Sequence, residues 1–278
     1  MSAPTTGRFE MKYALPLEQR TVLLEEALQH IGPDENAASF ADALPEVAAT
    51  GVCEPRGYRV SSLYFDDDAL SGYSSRIDGR RIRNRVRIRT YGDIGQSRPV
   101  FLEAKRKLFK RVVKHRVAAT TTDQWAELPG PRPWCNLAPL SHPMKQRRLE
   151  RWIDVVEKNG LHPVCRVEYW RETFAFERLR LTLDYRVGAE PTLDPYALRG
   201  DCSVPLIPRD WMILELKYNN QPPLWMRKLV SSHGLVAEPV SKFALGVART
   251  QRRDFIADQR ATTPPSIRQM KRRQGAAK

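Results

Sequence analysis

Arginine recurs at every second position between residues 81 and 89, and this alternation is the clearest pattern in the chain. The series consists of Arg81, Arg83, Arg85, Arg87 and Arg89. Three of the four positions between them are apolar, namely Ile82, Val86 and Ile88. Successive side chains of a strand point to opposite faces, so the pattern predicts a strand with guanidinium groups on one face and apolar side chains on the other.

Three more segments combine an acid and a base on one face of a predicted strand. Each has the form Glu-x-Lys between apolar residues, at Glu10 and Lys12, at Glu103 and Lys105, and at Glu215 and Lys217. Further strands are predicted at residues 58–65, 110–117, 167–171 and 179–184. Hardly any strand is apolar on both faces, which argues against a parallel, doubly wound sheet. The alternation favours an antiparallel sheet, either open with its charged face in solvent or closed into a barrel with a charged lumen.

Helical spacing of apolar residues predicts three helices between the strands. They cover residues 16–31, residues 141–159 with Ser141 as the N-cap, and a segment from Pro222 or Pro223 to His233. Residues 32–57 and 128–140 are rich in Pro, Gly and Ala and are predicted to be loops. The sequence therefore predicts an α+β fold.

The positive charge is concentrated in two segments. The 278 residues include 46 Lys and Arg against 32 Asp and Glu, a formal net charge of +14. Residues 76–116 carry a net +12 and residues 249–278 a net +7, so the rest of the chain is slightly acidic. The second segment lacks apolar periodicity and is expected to be a mobile basic tail, either a solvated segment or one that contacts an anionic surface or polymer.

The domain organisation and location follow from the remaining patterns. We expect a flexible N-terminus over residues 1–7, one domain over residues 8–248 and the tail over residues 249–278. No apolar run is long enough for a transmembrane helix or a signal peptide. The four cysteines are widely spaced, without a disulfide or zinc-finger pattern, which indicates a reducing cytoplasm.

Arginines beside in-phase glutamates indicate a ligand with many phosphates. Guanidinium groups match phosphate oxygens bidentately, and lysines act as point charges. Carboxylates would repel phosphate unless a divalent cation bridges the two, so Glu10, Glu103 and Glu215 are candidate ligands for Mg²⁺ or Mn²⁺. This set supplies the positioning and charge neutralisation that phosphoryl transfer requires. No Walker-type loop, kinase signature or nucleophile elbow is present.

The order of these segments resembles the VTC domain, the catalytic domain of polyphosphate polymerases within the triphosphate tunnel metalloenzyme (CYTH-like) superfamily. The resemblance runs from about Arg8 to about Val247. It rests on Glu10-x-Lys12-Tyr13, Ser62-Leu63-Tyr64-Phe65-Asp66, Arg85-x-Arg87-x-Arg89-x-Tyr91-Gly92, Glu103-x-Lys105, Lys114, Tyr169-x-Arg171, Leu179-Arg180-Leu181-Thr182-Leu183-Asp184, Glu215-x-Lys217 and Ser241-Lys242-Phe243.

The resemblance implies an antiparallel β-barrel tunnel with helices packed on the outside. It implies a phosphotransferase that uses ATP and Mn²⁺, or Mg²⁺, to extend inorganic polyphosphate and release ADP. The implied catalytic residues are Lys12, Arg87, Arg89, Lys105, Arg171, Arg180 and Lys242. Lys114 is implied to bind phosphate, and Arg85 and Lys217, which face the same lumen by alternation, are predicted to bind it as well. Glu215 matches the metal-binding glutamate of the family, and Glu10 and Glu103 face the same lumen.

Two other functions compete with the polymerase. An inorganic or nucleoside triphosphatase of the same fold would use water as the nucleophile in nearly the same site. A non-catalytic binder of polyphosphate or nucleic acid would use the basic charge with Trp and Tyr side chains. Nucleic acid is not expected, because carboxylates alternate in phase with the cations. The expected partners are ATP and polyphosphate, and a membrane protein is a further candidate because no transmembrane segment is present.

Overall fold

A computed structural model of the protein describes residues 8–38, 42–43, 56–92, 96–109 and 111–251. Its central element is an antiparallel β-sheet, and its long strands coincide with the segments predicted from alternation. The strands are β1 (Arg8–Pro16), β2 (Gly32–Pro33), β3 (Asp42–Ala43), β4 (Arg56–Asp66), β5 (Ile82–Tyr91), β6 (Pro99–Leu108), β7 (Arg111–Thr121), β8 (His162–Phe176), β9 (Leu179–Pro191), β10 (Val204–Pro205) and β11 (Trp211–Asn219).

The strand order confirms the predicted antiparallel α+β fold. The long strands run in the order β1-β11-β9-β8-β4-β5-β6-β7, and β2, β3 and β10 pair with β8, β4 and β9. The barrel is approximate, because within the described residues β1 and β7 are the two ends of the sheet and do not pair with each other. The backbone N–H of Glu238 donates to the carbonyl of Lys12 at 2.8 Å, so a connecting segment covers the free edge of β1.

Seven helices accompany the sheet in the described part of the chain. They are α1 (Arg20–Ala27), α2 (Glu35–Ala38), α3 (Ser71–Ile77), α4 (Thr122–Ala126), α5 (Pro143–Lys158), α6 (Leu224–Ser232) and α7 (Lys242–Thr250). None of the helices that the structure describes is long and apolar enough to cross a membrane.

The predicted helices are confirmed with corrected ends. The helix predicted over residues 16–31 is a 3₁₀ turn, Leu17–Gln19, followed by α1. The other two are α5 and α6. The N-cap of α5 is His142 rather than Ser141, because Nδ1 of His142 accepts the Met144 N–H at 3.2 Å.

The expectations for two loops need correction. The segment predicted as a loop at residues 32–57 contains β2, α2, β3 and the start of β4. The segment at residues 128–140 contains the 3₁₀ turn Pro133–Asn136. Helix α7 continues through Arg249 and Thr250. Residues 1–7, Lys110 and the tail from residue 252 lie outside the described residues.

The outer face of the sheet is apolar and lies against four helices. Leu24 of α1 and Leu229 of α6 are fully buried in one cluster with Leu183 and Leu214 of the sheet. A second cluster joins β5, β6 and β7 to α4 and α5 through Trp125 and Trp152. These clusters confirm that helices cover the apolar face.

Helix α7 is an exception, because it packs on the concave face. Phe243 and Val247 of α7 are buried with Tyr64, Val167 and Tyr169, whose side chains point inward from β4 and β8. Part of the concave face is therefore apolar, and burial against α7 and α3 removes this surface from water. The prediction that helices lie only outside the barrel was wrong for this helix.

A glycine lets α7 approach the sheet closely. A Cβ added to Gly246 would lie 2.9 Å from Cγ2 of Val167 and 3.3 Å from Sγ of Cys165. We expect Gly246→Ala to lower the free energy of unfolding by about 1–3 kcal/mol, because the added methyl group overpacks the interface. In an exposed helix the same change would instead stabilise the protein by roughly 1 kcal/mol. Thermal unfolding measures the effect. Gly32→Ala is the control, since nothing lies within 4 Å of its added Cβ, and an equally stable G246A protein would contradict this packing.

Candidate functional site

The remaining part of the concave face carries the charged side chains. Lys and Arg outnumber carboxylates there in the strand register and at the start of α7. The cations include Lys12, Arg85, Arg87, Arg89, Lys105, Lys114, Arg116, Arg171, Arg180, Lys217 and Lys242. The carboxylates are Glu10, Glu103, Asp184 and Glu215.

Glu215 lies between two lysines on neighbouring strands. Lys12 and Glu215 are cross-strand partners, with Nζ of Lys12 3.3 Å from Oε2 of Glu215 and 3.0 Å from Oε1 of Glu10. Lys217 contacts the other carboxylate oxygen of Glu215. Burial alone would raise the pKa of Glu215, but Lys12 and Lys217 hold it well below its usual value. The Glu215 carboxylate therefore stays ionised although its side chain is only 5% exposed.

Asp184 joins β8, β9 and α7 at the floor of the charged region. Nε and Nη2 of Arg171 donate to Oδ1 and Oδ2 of Asp184 at 2.6 and 2.7 Å. The ammonium group of Lys242, the first residue of α7, also contacts Oδ2. Burial would raise the pKa of Asp184, but Arg171 and Lys242 lower it. This fully buried carboxylate fixes the positions of two cations at the end of α7.

Glu103 is surrounded by three cations on β5 and β7. Nε of Arg87 donates to Oε2 at 2.7 Å, and Oε1 lies 3.0 Å from Nζ of Lys114 and 3.3 Å from Nε of Arg116. Burial would raise the pKa of Glu103, but these neighbours and Arg89 lower it. Both oxygens of this carboxylate are thus engaged by side chains of the protein.

Several cations of the concave face form no ion pair with a carboxylate within 4.0 Å in the described ranges. They include Arg85, Arg89 and Lys105. Arg85 and Arg89 contact hydroxyl groups, with Nη2 of Arg85 3.5 Å from Oγ of Ser241 and Nε of Arg89 2.9 Å from Oγ of Ser62. Burial and the neighbouring Arg87 and Arg76 lower the pKa of Arg85. Cations held in this way favour a negatively charged ligand.

Charges from opposite ends of the strand order meet across the concave space. Lys105 on β6 lies close enough to Glu10 on β1 for that carboxylate to act on its pKa. Arg85 on β5 acts in the same way on the pKa of Lys12. Charges on β1 therefore act on charges of β5 and β6, although hydrogen bonds among the described residues do not close the barrel.

The structure brings most of the predicted site residues together. Arg180 lies opposite Lys217 on the neighbouring strand, and its Nη2 is 3.0 Å from Oδ2 of Asp34. Arg81 precedes β5 and is exposed, so it does not join the inner series. Sequence reasoning missed Asp184 and Arg116 as site residues, although both alternate in phase with predicted site cations on their strands.

Two of the three predicted metal ligands fit a divalent cation. Mg²⁺ and Mn²⁺ take one or two protein carboxylates together with phosphate oxygens. Glu10 and Glu215 lie on paired strands and act on each other's charge, whereas Glu103 already has three cationic partners. No cluster of three acidic, His or Cys side chains suited to a metal occurs among the described residues. A cation here would depend on phosphate for its remaining ligands.

Tyr64 is a further residue that sequence reasoning missed. Its hydroxyl accepts an N–H from Nη1 of Arg87 at 3.1 Å, and its ring lies against Phe243 of α7. Burial would raise the pKa of Tyr64, but Arg87, Arg89 and Arg85 lower it to about 8. The phenol therefore ionises at a lower pH than an ordinary tyrosine.

We expect tripolyphosphate affinity to fall as the pH rises through about 8, because the Tyr64 phenolate would neutralise part of the positive charge. Tyr64→Phe should remove this step and keep the affinity at high pH. Titration calorimetry measures the affinity between about pH 7 and about pH 9, a range that lies on both sides of the pKa of Tyr64 lowered by its cations. Tyr169→Phe is the control, since burial raises the pKa of Tyr169 to about 12. An unchanged pH profile in Y64F would contradict the assignment.

Comparison with known proteins gives one family and several loosely similar structures. The profile of the VTC domain matches residues 7–251. No curated protein matches the chain. A solved structure from Hippeastrum, described as an adenylyl cyclase candidate with a dominant triphosphatase activity, is 17% identical, covers 85% of this chain and 93% of that chain, and has a TM-score of 0.44. A conserved hypothetical protein from Pyrococcus furiosus is 12% identical, covers 86% of this chain and 99% of that chain, and has a TM-score of 0.41.

Proposed function

The chain belongs to the VTC-domain family of triphosphate-tunnel enzymes, and on this premise we propose that it is an ATP-dependent polyphosphate polymerase. The observation that carries the proposal is the excess of cations on the concave face. Arg85, Arg89 and Lys105 lack a carboxylate partner in the described part of the chain, and a chain of phosphates would supply the missing negative charge. The proposed substrates are ATP and inorganic polyphosphate.

The reaction transfers one phosphoryl group between two phosphate chains. A terminal oxygen of polyphosphate attacks the γ-phosphorus of ATP, the bond from that phosphorus to the bridging β,γ-oxygen breaks, and ADP leaves. The chain grows by one phosphate, and the protein forms no covalent bond. Catalysis of this kind depends on positioning and on neutralising charge at the oxygens of the transferred group.

The residues of the concave face divide this task. Arg87 and Arg89 have fixed guanidinium groups, because Glu103, Tyr64 and Ser62 hold them in place. Lys12, Lys217, Arg171 and Lys242 surround the Glu215 and Asp184 carboxylates. Because these cations are positioned before substrate binds, little reorganisation is needed during the reaction. The proposal assigns binding of the phosphate chains to this set.

A divalent cation is part of the proposal. Glu215, with Glu10, would hold Mn²⁺ or Mg²⁺, and the cation would neutralise charge on phosphate oxygens. Lys12 and Lys217 contact Glu215 and keep the carboxylate ionised.

The test is incubation of the full chain with ATP and Mn²⁺, followed by gel electrophoresis for a polymer ladder and by measurement of ADP. A ladder with ADP supports the polymerase. Release of orthophosphate without polymer would identify a triphosphatase, and tight polyphosphate binding without turnover would identify a binder. Either result would overturn the proposal.

Two neighbouring residues of β6 provide a matched pair for this assay. Lys105 lies on the concave face and Arg106 on the outer face, and both are exposed. Lys105→Met is expected to lower polymer synthesis by about tenfold or more, as loss of one charge-stabilising donor does elsewhere. Arg106→Met removes the same charge from the same strand and should keep the activity in solution. Equal losses in the two variants would count against the concave face as the site.

A further inference from the structure

The free end of the β5–β6–β7 sheet exposes a group of large apolar side chains. Ile82, Phe109, Val112 and Val113 are between 42% and 58% exposed. Single apolar residues on a surface are ordinary, but several large ones gathered at one exposed end of a sheet indicate an interaction site. We name these four residues the tip patch.

The strand pairing places the tip patch at one end of the three strands. Ile82 of β5 is the cross-strand partner of Leu108 at the end of β6, and the N–H of Phe109 donates to the carbonyl of Arg81 at 2.9 Å. Ile82 and Val113, the partner of Arg106, lie on the outer face of the sheet, whereas Val112, the partner of Lys107, lies on the concave face. The end of the hairpin therefore exposes apolar side chains on both faces of the sheet.

Phe109 occupies an unfavourable backbone conformation at the turn. Its φ of 54° lies in the left-handed region, which a bulky residue enters only at an energetic cost. Glycine or asparagine would form this turn with less strain. The Phe109 ring is 58% exposed and belongs to none of the three buried clusters. A strained turn that presents an exposed aromatic ring indicates a functional role.

The patch lies in the most basic part of the chain. Seven of the twelve residues from Lys105 to Arg116 are Lys or Arg, and none is acidic. Arg106 and Lys107 flank the patch, and neither has a carboxylate partner within 4.0 Å in the described part of the chain. An apolar patch among uncompensated cations complements a surface that is negatively charged outside and apolar beneath.

We propose that this hairpin docks the protein on an anionic lipid bilayer. Phe109, Val112, Val113 and Ile82 enter the headgroup region, while Arg106 and Lys107 face lipid phosphates. A nucleic acid or free polyphosphate would use the cations but would gain little from aliphatic side chains, which cannot stack on bases. The docking surface is independent of the reaction proposed above. β5 and β6 continue from the patch into the charged concave face, so docking would bring that site close to the membrane surface.

Vesicle flotation with the full chain tests the proposal. The probes are vesicles of phosphatidylcholine alone and of phosphatidylcholine mixed with phosphatidylserine, without nucleotide. The wild-type chain should float with the anionic vesicles. The double variant F109S/V113S should lower the bound fraction at least about tenfold, the effect of losing the burial of a phenylalanine and a valine. Arg106→Glu should also lower binding to the anionic vesicles. This loss should be larger at low salt than at high salt, because salt screens the charges.

Phe176→Ser is the matched control, because Phe176 is 54% exposed at the β8–β9 turn, outside the tip patch. It should float like the wild type. The basic tail is present in every variant, so differences between variants report on the hairpin, and circular dichroism checks that each one folds. Wild-type protein that does not float, or F109S/V113S that floats normally, would overturn the proposal. Loss of tripolyphosphate or DNA binding in F109S/V113S without any flotation would assign the hairpin to a polyanion instead.

Discussion

Replacing Glu215 with glutamine is expected to lower metal-dependent polymer synthesis by about 10²-fold or more, the scale found when one preorganised charged group of an active site is removed. The change removes the ionised carboxylate that Lys12 and Lys217 both contact. A neutral amide binds Mn²⁺ more weakly, and it leaves two lysines without their shared anion. Turnover as a function of Mn²⁺ concentration, together with Mn²⁺ binding measured by electron paramagnetic resonance, separates loss of the metal from loss of catalysis.

The loss of stability in Glu215→Gln requires a control on the opposite face of the sheet. Breaking a buried ion pair costs about 3–5 kcal/mol, so part of any loss of activity could reflect unfolding. Glu168 is also a buried carboxylate, and it contacts Arg59 on the outer face of β4 and β8. Glu168→Gln should lower the melting temperature and keep the activity of each folded molecule. Wild-type turnover and Mn²⁺ affinity in E215Q would contradict the proposed metal site.

The long strands could be predicted because their two faces differ in chemistry. Alternation of charged and apolar residues identified β1, β5, β6 and β11 and placed Glu10, Lys12 and Glu215 on one face, where the structure has them. The same alternation could not decide between an open sheet and a barrel. That choice depends on twist and on how the two edges meet, which no single strand encodes.

The helix that closes one part of the concave face could not be predicted from periodicity. Helix α7 has only nine residues, and seven of them, from Lys242 to Ala248, are buried, so few polar positions mark a helical repeat. The missed helix α4 is only five residues long. Its capping box of Thr121 and Gln124 was the available signal.

Asp184 was overlooked for a different reason. Its alternation with Leu181 and Leu183 identified the strand, but its role depends on contacts with Arg171 and Lys242, which come from other elements. Lys242 is more than fifty residues away in the sequence. Such a contact arises only when α7 enters the concave face, so it could not be inferred without the fold.

Asp184→Asn is expected to lower polymer synthesis by at least about tenfold and the stability by about 3–5 kcal/mol, because it leaves the buried Arg171 and Lys242 without their shared anion. Asparagine can accept only one of the hydrogen bonds that Arg171 now donates. The two cations would then repel each other next to Glu215. Steady-state kinetics and thermal unfolding measure both losses.

Ligand rescue distinguishes a site residue from a structural one. Tripolyphosphate would replace the negative charge lost in Asp184→Asn, so it should raise the melting temperature of this variant more than that of the wild type, by preferential binding to the folded state. Glu172 gives the matched control, because it is buried next to Arg171 in β8 but pairs with Arg20 on the outer face at 2.7 Å. Glu172→Gln should lose stability without any extra gain from the ligand. If tripolyphosphate stabilised both variants equally, Asp184 would serve the fold alone, and the cations it holds would not form the phosphate site.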